Sequence, residues 1–399
     1  MFKKEDVTGL IKSLVEIESP YFQEDNVMDF AFKWLKDKGL DARLHSYSER
    51  KALNYDGKNV ILELQGKRQG KHVCLNGHLD TVPLCEGWTK DPYAGNIEGD
   101  RLYGLGALDM KSGCAANMIA VEQFIRDYGD DFAGKISLSL VSDEEGPFGL
   151  GTNAILEEGL LEDVDVALVT EPTAGFSATE EFPLVCLGAR GCFKYYIDFF
   201  GKSAHASTPE KGLNAAVEAA KFILESRNVE LKDVPPLGKG SFVILKMEAD
   251  GGACSVPDRA RVYVHRHCTV GETEAMIIAE ADALCRGAGV ECKYEIGFDS
   301  YPTEGSKSYV PYYVEETNPY VGVLSNAVAA ASGKTPALGY FASIGDFNYL
   351  GTRLGGTPTF VFGPDGDNFH GADEYVELET AYLTAVTVYE FLKNILLDR

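Results

Sequence analysis

Apolar positions recur at helical and strand spacing from the start of the chain. Between residues 7 and 14 they fall at i, i+3, i+4 and i+7, which predicts an amphipathic helix that belongs to the fold. A second helix is predicted from about Ser19 to its glycine stop at Gly39. Apolar runs then predict strands at 59–64, 72–76, 135–142 and 165–170, with helices at 111–128 and 152–158. Buried strands that alternate with helices indicate an α/β fold with a largely parallel central sheet.

The order of elements changes after about residue 183. The pattern there predicts, in sequence, a strand at 192–200, a helix at 213–226, strands at 241–247 and 260–268, a helix at 272–286 and a strand at 291–298. This β-α-β-β-α-β order is the ferredoxin-like split motif. We therefore expect an α/β domain in two segments, 1–182 and 301–399, interrupted by an inserted domain at 183–300.

Composition narrows the classes of partner. The formal net charge of −24 disfavours binding to nucleic acid and to anionic membrane surfaces. Apolar runs stay well below the roughly 18 residues of a membrane-spanning helix. The nine cysteines are odd in number and scattered, without a CxxC pair, which predicts reduced thiols and a cytoplasmic location.

Histidine and acidic residues follow the predicted strands at the point where each strand ends. In open α/β sheets, ligands bind outside these carboxyl ends. The residues concerned are His78 and Asp80 after 73–75, Asp143, Glu144 and Glu145 after 136–142, Glu171 after 166–170, Asp109 before a helix, and His370 near the end of the chain.

Imidazole and carboxylate ligands together suit Zn²⁺, Co²⁺ or Mn²⁺, and Zn²⁺ is the expected metal. Two histidines with several carboxylates suit two ions about 3.5–4 Å apart that share a bridging carboxylate and activate a water. Glu144 and Glu145 are adjacent, so on an extended segment their side chains point in opposite directions. One of the two can then bind metal while the other takes a proton from the water.

Six motifs, in order, are similar to those of the dinuclear-zinc amidohydrolase and exopeptidase family that includes acetylornithine deacetylase, succinyl-diaminopimelate desuccinylase, aminoacylase-1 and glutamate carboxypeptidase. They are 77-GHLDTVP-83, 104-GLGALDMKSG-113, 142-SDEEG-146, 170-TEPT-173, 201-GKSAHASTPEKGLNA-215 and 362-FGPDGDNFHGADEYV-376. The resemblance implies a zinc-exopeptidase-like catalytic domain with a mixed central sheet. It also implies that the inserted domain is a dimerisation, or lid, domain and that the protein is a homodimer.

The same resemblance implies a set of metal ligands. His78 would bind one metal ion and His370 the other, and Asp109 would bridge the two. Glu145 would share the ion of His370, and Glu171 the ion of His78.

Catalytic roles are implied for three further residues. Glu144 would be the general base, and Asp80 would hydrogen-bond His78 and fix its orientation. The peptide bond after Asp109 would be cis. His205 would reach the active site of the partner subunit and stabilise the oxyanion of the tetrahedral intermediate.

Substrate recognition is expected to involve a free carboxylate. Arg266 is the candidate for binding it, since a guanidinium can pair with a carboxylate bidentately. The family often shows Asp-x-Arg on this strand, whereas this chain has His265-Arg266-His267, so His267 is the competing candidate. Cys254 stands about where relatives often carry an asparagine that is thought to touch substrate.

The predicted function is metal-dependent hydrolysis of the amide bond in N-acyl amino acids, as in a deacetylase or desuccinylase. The alternative is a dipeptidase or carboxypeptidase with the same two-metal site. A catalytically inactive relative would lack a ligand or the base, and all of these are present. A purely structural metal site fits poorly, because such sites are usually closed and rich in cysteine.

Overall fold

The computed structural model describes residues 1–177, 180–252, 254–298 and 308–397. Its helices are α1 (Lys4–Val15), α2 (Asp25–Asp37), α3 (Ser112–Tyr128), α4 (Leu150–Glu157), α5 (Ala215–Glu225), α6 (Glu274–Gly287), α7 (Pro319–Ser332), α8 (Phe347–Arg353) and α9 (Leu378–Leu396). Its strands are β1 (Arg43–Glu49), β2 (Tyr55–Gln65), β3 (Arg68–His78), β4 (Asn96–Glu98), β5 (Arg101–Tyr103), β6 (Ala133–Val141), β7 (Val166–Val169), β8 (Leu184–Ala189), β9 (Gly191–Phe200), β10 (Asp233–Val234), β11 (Gly238–Lys239), β12 (Ser241–Ala249), β13 (Arg259–Cys268), β14 (Lys293–Phe298), β15 (Ser308–Tyr309), β16 (Tyr312–Tyr313), β17 (Ala337–Phe341), β18 (Thr359–Val361), β19 (Gly366–Asp367) and β20 (Tyr375–Glu377).

The first structural unit comprises Met1–Ala189 and Tyr312–Arg399. Its central sheet has the order β1-β2-β6-β3-β7-β18-β8-β16, with β17 also paired to β8. The four strands β6, β3, β7 and β18 are parallel, and β1 and β2 join them antiparallel on one side. The sheet is therefore mixed, and the carboxyl ends of its four parallel strands meet at one edge.

Helices bury this sheet in a large apolar core. Helix α9 packs against α1, α3 and α7, while α2 and α4 contact β2. Most of β3, β6 and β7 is fully buried, as expected for strands covered on both faces. Among the helices that the structure describes, none is long and apolar enough to cross a lipid bilayer.

A second, smaller sheet in the same unit brings distant parts of the chain together. Its order is β19-β20-β5-β4, and β20 pairs antiparallel with β5. Beyond this pairing, the N–H of Gly104 donates to the carbonyl of Glu374 at 3.0 Å. The loop that carries Asp109 is thereby held beside the loop that carries His370.

The second unit is Arg190–Pro311 and has its own apolar core. Its elements run β9, α5, β12, β13, α6 and β14, which confirms the predicted β-α-β-β-α-β motif. The antiparallel sheet has the order β12-β13-β9-β14, with β15 added beside β9. Apolar residues of α5 and α6 pack with alternate residues of β9 and β13 in this core.

The predicted boundary between residues 182 and 183 is wrong. Strand β8 follows that point and pairs with β17 and β18, so it belongs to the central sheet, and the second unit begins at Arg190. The other predicted boundary, between residues 300 and 301, lies outside the described residues. The chain is again part of the first unit from Tyr312.

Candidate metal centre

The parallel strands of the central sheet deliver the predicted ligands to one edge. His78 is the last residue of β3, Glu144 and Glu145 follow β6, and Glu171 follows β7. Since these strands are parallel neighbours, residues far apart in sequence lie side by side. The fourth ligand position, Asp109, precedes α3, and the fifth, His370, lies between β19 and β20.

Asp109 lies between the two histidines. Its Oδ1 is 3.2 Å from Nε2 of His78, and its Oδ2 is 3.4 Å from Nε2 of His370. Each histidine also faces its own glutamate: His78 Nε2 is 3.2 Å from Glu171 Oε1, and His370 Nε2 is 2.9 Å from Glu145 Oε1. The Asp109–Met110 peptide bond is cis. This arrangement is the one that a bridging carboxylate between two metal ions requires.

Potential ligand atoms also cluster in two overlapping groups, each with all of its atoms within 4.8 Å of one another: His78 with Asp109 and Glu145, and His78 with Glu144 and Glu171. Both groups contain His78, so the proximity of ligand atoms alone defines one metal position. The separate contacts of His370 with Asp109 and Glu145 define the second position.

The orientation of His78 suits metal binding. Its Nδ1 lies 3.0 Å from the backbone carbonyl of Asp80, so the ring proton sits on Nδ1 and the lone pair of Nε2 faces the carboxylates. The carboxylate of Asp80 is farther away, at 3.6 Å from Nδ1. It instead accepts the backbone N–H groups of Glu144 at 3.2 Å and of Glu145 at 2.9 Å. The orienting bond to His78 is thus made by the main chain of Asp80, and its carboxylate positions the glutamate pair.

A sharp turn of the main chain orients the side chains of Glu144 and Glu145. Asp143, just before them, has a φ of 60°, a left-handed conformation that is uncommon for residues other than glycine. A Cβ at Gly146 would overlap the carboxylate of Asp143, so the turn needs glycine there. Glu144 Oε1 accepts the N–H of Asp346 at 3.1 Å, while its Oε2 lies 3.8 Å from Nε2 of His78. Glu144 therefore borders the centre while Glu145 contacts His370.

The electrostatics of the site call for cations. Burial, reinforced by the carboxylate of Asp109, raises the pKa of Glu145 to about 7 and that of Glu171 to about 8. Burial opposes charge on His370, but hydrogen bonds to Asp109 and Glu145 raise the pKa of this imidazole to about 11. Nearby positive charge would thus stabilise the ionised form of these clustered carboxylates. Two imidazoles and three carboxylates form a donor set that fits two divalent ions.

Glu374 is a site residue that the sequence analysis did not single out. Its buried carboxylate accepts three backbone N–H groups of the Asp109 loop: Gly106 at 2.8 Å, Leu108 at 2.8 Å and Asp109 at 3.1 Å. It lies four residues after His370, so it links the two loops that supply ligands. The only signal in the sequence is its place in the motif around His370.

His205 lies in the second unit, on an exposed loop. Its Nδ1 accepts the backbone N–H of Ser207 at 3.1 Å and lies 2.7 Å from the hydroxyl of the same residue. The ring proton is therefore on Nε2, which suits donation to an oxyanion.

Arg266 is not placed to bind substrate. Its side chain is 1% exposed and pairs with Glu272 at 2.6 Å and with Glu280 at 3.1 Å. Both partners belong to the α6 region, so the guanidinium lies on the helix-covered face of the sheet. The expected contact with a substrate carboxylate is therefore wrong. His267, the next residue, points to the opposite face, where Ser241 Oγ lies 2.8 Å from its Nδ1.

Comparison with known proteins agrees with this arrangement. The profile described as peptidase family M20/M25/M40 matches residues 74–394. A succinyl-diaminopimelate desuccinylase from Nitratiruptor sp. is 30% identical over 389 residues, which cover 95% of this chain and 97% of the relative. Among solved structures, a tripeptidase from Staphylococcus aureus superposes with a TM-score of 0.77 at 20% identity, over 98% of each chain. An M20 family metallo-carboxypeptidase from Sulfolobus solfataricus gives a TM-score of 0.76 at 15% identity, over 98% of this chain and 99% of that one. The protein belongs to peptidase family M20/M25/M40 and is a hydrolytic enzyme.

Proposed function

We propose that this enzyme hydrolyses the amide bond of N-acyl amino acids, as a deacetylase or desuccinylase does. One observation carries the proposal: Asp109 faces a different histidine with each oxygen, and Glu144 stands beside this pair, 3.8 Å from His78. A two-metal site with a spare carboxylate is suited to adding water to a carbonyl.

Two divalent ions, most readily Zn²⁺ and otherwise Co²⁺ or Mn²⁺, would be held by His78, Asp109, Glu145, Glu171 and His370. When bound, they would supply an activated water and polarise the substrate carbonyl. Glu144 would accept a proton from the attacking water and deliver it to the departing amine. The N–H of Asp346 and the carboxylate of Asp80 would keep Glu144 in position, the latter through the backbone.

Recognition of a free substrate carboxylate falls to other residues than Arg266. His267 is our candidate, since it lies on the face of the inserted sheet that α5 and α6 do not cover. Its Nε2 is 3.3 Å from Nε2 of His265, and burial lowers the pKa of His267 to about 3. A neutral imidazole N–H would bind the carboxylate by a hydrogen bond, without a full ion pair.

We further propose a homodimer formed through the inserted domain. Strand β12 is at the edge of the described sheet β12-β13-β9-β14, and it exposes the apolar side chains of Val243, Leu245 and Met247. An exposed edge strand can pair with a second chain. In such a dimer, His205 would stabilise the oxyanion at the partner's centre. Dimerisation would then be necessary for activity.

A reducing compartment, the cytoplasm, is the proposed location. All nine cysteines are unpaired, and seven of them are buried. Free, buried thiols are typical of proteins that function without disulfides.

The alternative activity is that of a dipeptidase or carboxypeptidase. Solved structures of peptidases share this fold, so the fold alone does not distinguish peptides from N-acyl amino acids as substrates. A panel of N-acetyl, N-succinyl and other N-acyl amino acids, set against dipeptides and tripeptides, tests the choice on metal-loaded protein. We expect the N-acyl amino acids to give the higher kcat/KM. A clear preference for peptides with a free amino terminus would replace this proposal with the alternative.

A further inference from the structure

A cavity in the first unit is lined by the loop that follows Glu171 and by residues of β8 and β17. It has a volume of about 280 Å³, and its lining includes Phe176, Leu184, Leu338 and Phe341. Cavities of about 150 Å³ already hold a benzene molecule, so this one accommodates an aromatic ring or a branched aliphatic chain. Among the described residues that line it, Glu180 alone carries a formal charge.

Four phenylalanine rings connect this cavity to the centre; we call them the aromatic wall: Phe176, Phe341, Phe347 and Phe369. The ring of Phe176 stacks on Phe369 at 4.2 Å and lies 4.5 Å from Phe341. Phe341 in turn lies 4.8 Å from Phe347. Phe176 and Phe341 line the cavity, whereas Phe347 is buried behind Phe341 at 1% exposure.

Each end of the aromatic wall adjoins a residue of the catalytic centre. Phe369 precedes His370, and their rings are 6.2 Å apart. Phe347 follows Asp346, whose backbone N–H donates to Glu144 Oε1. Through contacts in the interior, these rings link the cavity to the neighbours of a metal ligand and of the general base.

We propose that the cavity, with Phe176 and Phe341 in its lining, binds an uncharged, apolar group of the substrate, next to the scissile amide. The inference rests on the proposed amide hydrolysis and names its substrate class. The group is either the side chain of the amino acid or the hydrocarbon chain of the acyl group. A second carboxylate, as in a succinyl group, is disfavoured there because it would leave water for apolar surface and meet the charge of Glu180.

The test uses two substrate series on metal-loaded enzyme. One varies the amino acid in N-acetyl-glycine, -alanine, -leucine and -phenylalanine. The other varies the acyl group on one amino acid from acetyl through butanoyl to hexanoyl, with succinyl as the charged counterpart of butanoyl. We expect kcat/KM to rise about fourfold per buried methylene in one series, which identifies the group that is bound. If the acyl series is the one that rises, butanoyl is expected to exceed succinyl.

Variants tie the preference to the cavity. Leu338→Glu places a charge on its rim at a side chain that is 39% exposed, and Phe176→Ala removes part of the wall; both should flatten the rising series. Leu44→Glu is the matched control, since Leu44 is 38% exposed on β1, at the opposite side of the same sheet. In the Leu44→Glu variant, kcat/KM should rise along the substrate series with the same slope as in the wild type.

The outcomes separate the two proposals. Absence of hydrolysis for every amide overturns the proposed function itself. Hydrolysis with two flat series, with a rising acyl series in which succinyl is still preferred to butanoyl, or with a slope that survives both Leu338→Glu and Phe176→Ala, overturns the cavity assignment and leaves the amide hydrolysis standing.

Discussion

Replacing Glu374 by glutamine tests how the two ligand loops are held together. In the structure its carboxylate accepts three backbone N–H groups, two on Oε1 from Leu108 and Asp109 and one on Oε2 from Gly106. A glutamine keeps the shape but offers one acceptor oxygen. At least one buried N–H must then face the amide NH₂ group, donor against donor.

The expected loss can be worked from these contacts. A buried donor without an acceptor costs about 1–3 kcal/mol, and bonds to a neutral oxygen are weaker than those to a carboxylate. These hydrogen bonds fix the Asp109 loop and adjoin the loop of His370. Their loss should therefore appear as a lower affinity for metal ions. We expect Glu374→Gln to weaken metal binding about 10- to 100-fold, the usual range for residues that support metal ligands.

The measurement is competition with a chromogenic chelator for Zn²⁺, together with urea unfolding of the metal-free protein. Glu379→Gln is the control, since Glu379 pairs with Lys4 at the surface and lies five residues away. Surface pairs contribute about 1 kcal/mol at most, so this variant should bind metal like the wild type. Equal metal affinity in the two variants would refute the role assigned to Glu374.

Three further predictions concern the second unit. Arg266→Leu should lower the free energy of unfolding by about 3 kcal/mol with KM unchanged, because it removes the buried cationic partner of Glu272 and Glu280, whose side chains are 7% and 20% exposed; a raised KM with normal stability would contradict this. Burial lowers the pKa of His265 to about 4 and of His267 to about 3, so both rings are neutral when folded. The free energy of unfolding should therefore be highest above pH 6.5 and fall on acidification, by about 2 kcal/mol per ring at pH 5. Urea unfolding measures this fall, which should be smaller when both His265 and His267 are replaced by glutamine. Mixed dimers of inactive His205→Ala and Glu144→Ala chains should regain activity; no recovery despite subunit exchange would argue against action across the dimer.

Much of the metal centre could be predicted because its ligands follow strand ends. Buried parallel strands are visible as apolar runs, and parallel neighbours end at the same edge of the sheet. Strand ends indicate His78, the pair Glu144 and Glu145, and Glu171 as candidates, whereas the choice of Glu145 as the ligand depends on the family resemblance. The inserted unit could likewise be predicted, since each of its six elements has a clear period of two or of 3.6.

Arg266 was misplaced although the sequence contained the necessary signal. Val262 and Val264 share its parity on β13, and both are buried, so Arg266 must point the same way. Strand alternation therefore places the guanidinium of Arg266 under the helices of the second unit.

The remaining features depend on contacts between distant residues. The boundary at Arg190 depends on the pairing of β8 with β17 and β18, which begin about 150 residues later. The role of Glu374 depends on three backbone N–H groups more than 260 residues earlier in the chain. The period of the sequence carries no information about such partners.

Glu144 is assigned as the general base and is distinct from the five metal ligands, and one comparison separates these two roles. Metal content and turnover are measured on the same preparations of wild-type and Glu144→Ala protein, with an N-acyl amino acid that the wild type hydrolyses. We expect two ions per chain in both proteins and turnover reduced by about 100-fold or more in the variant, the contribution expected of a general base. Loss of a metal ion from the variant, or turnover close to that of the wild type, would contradict it.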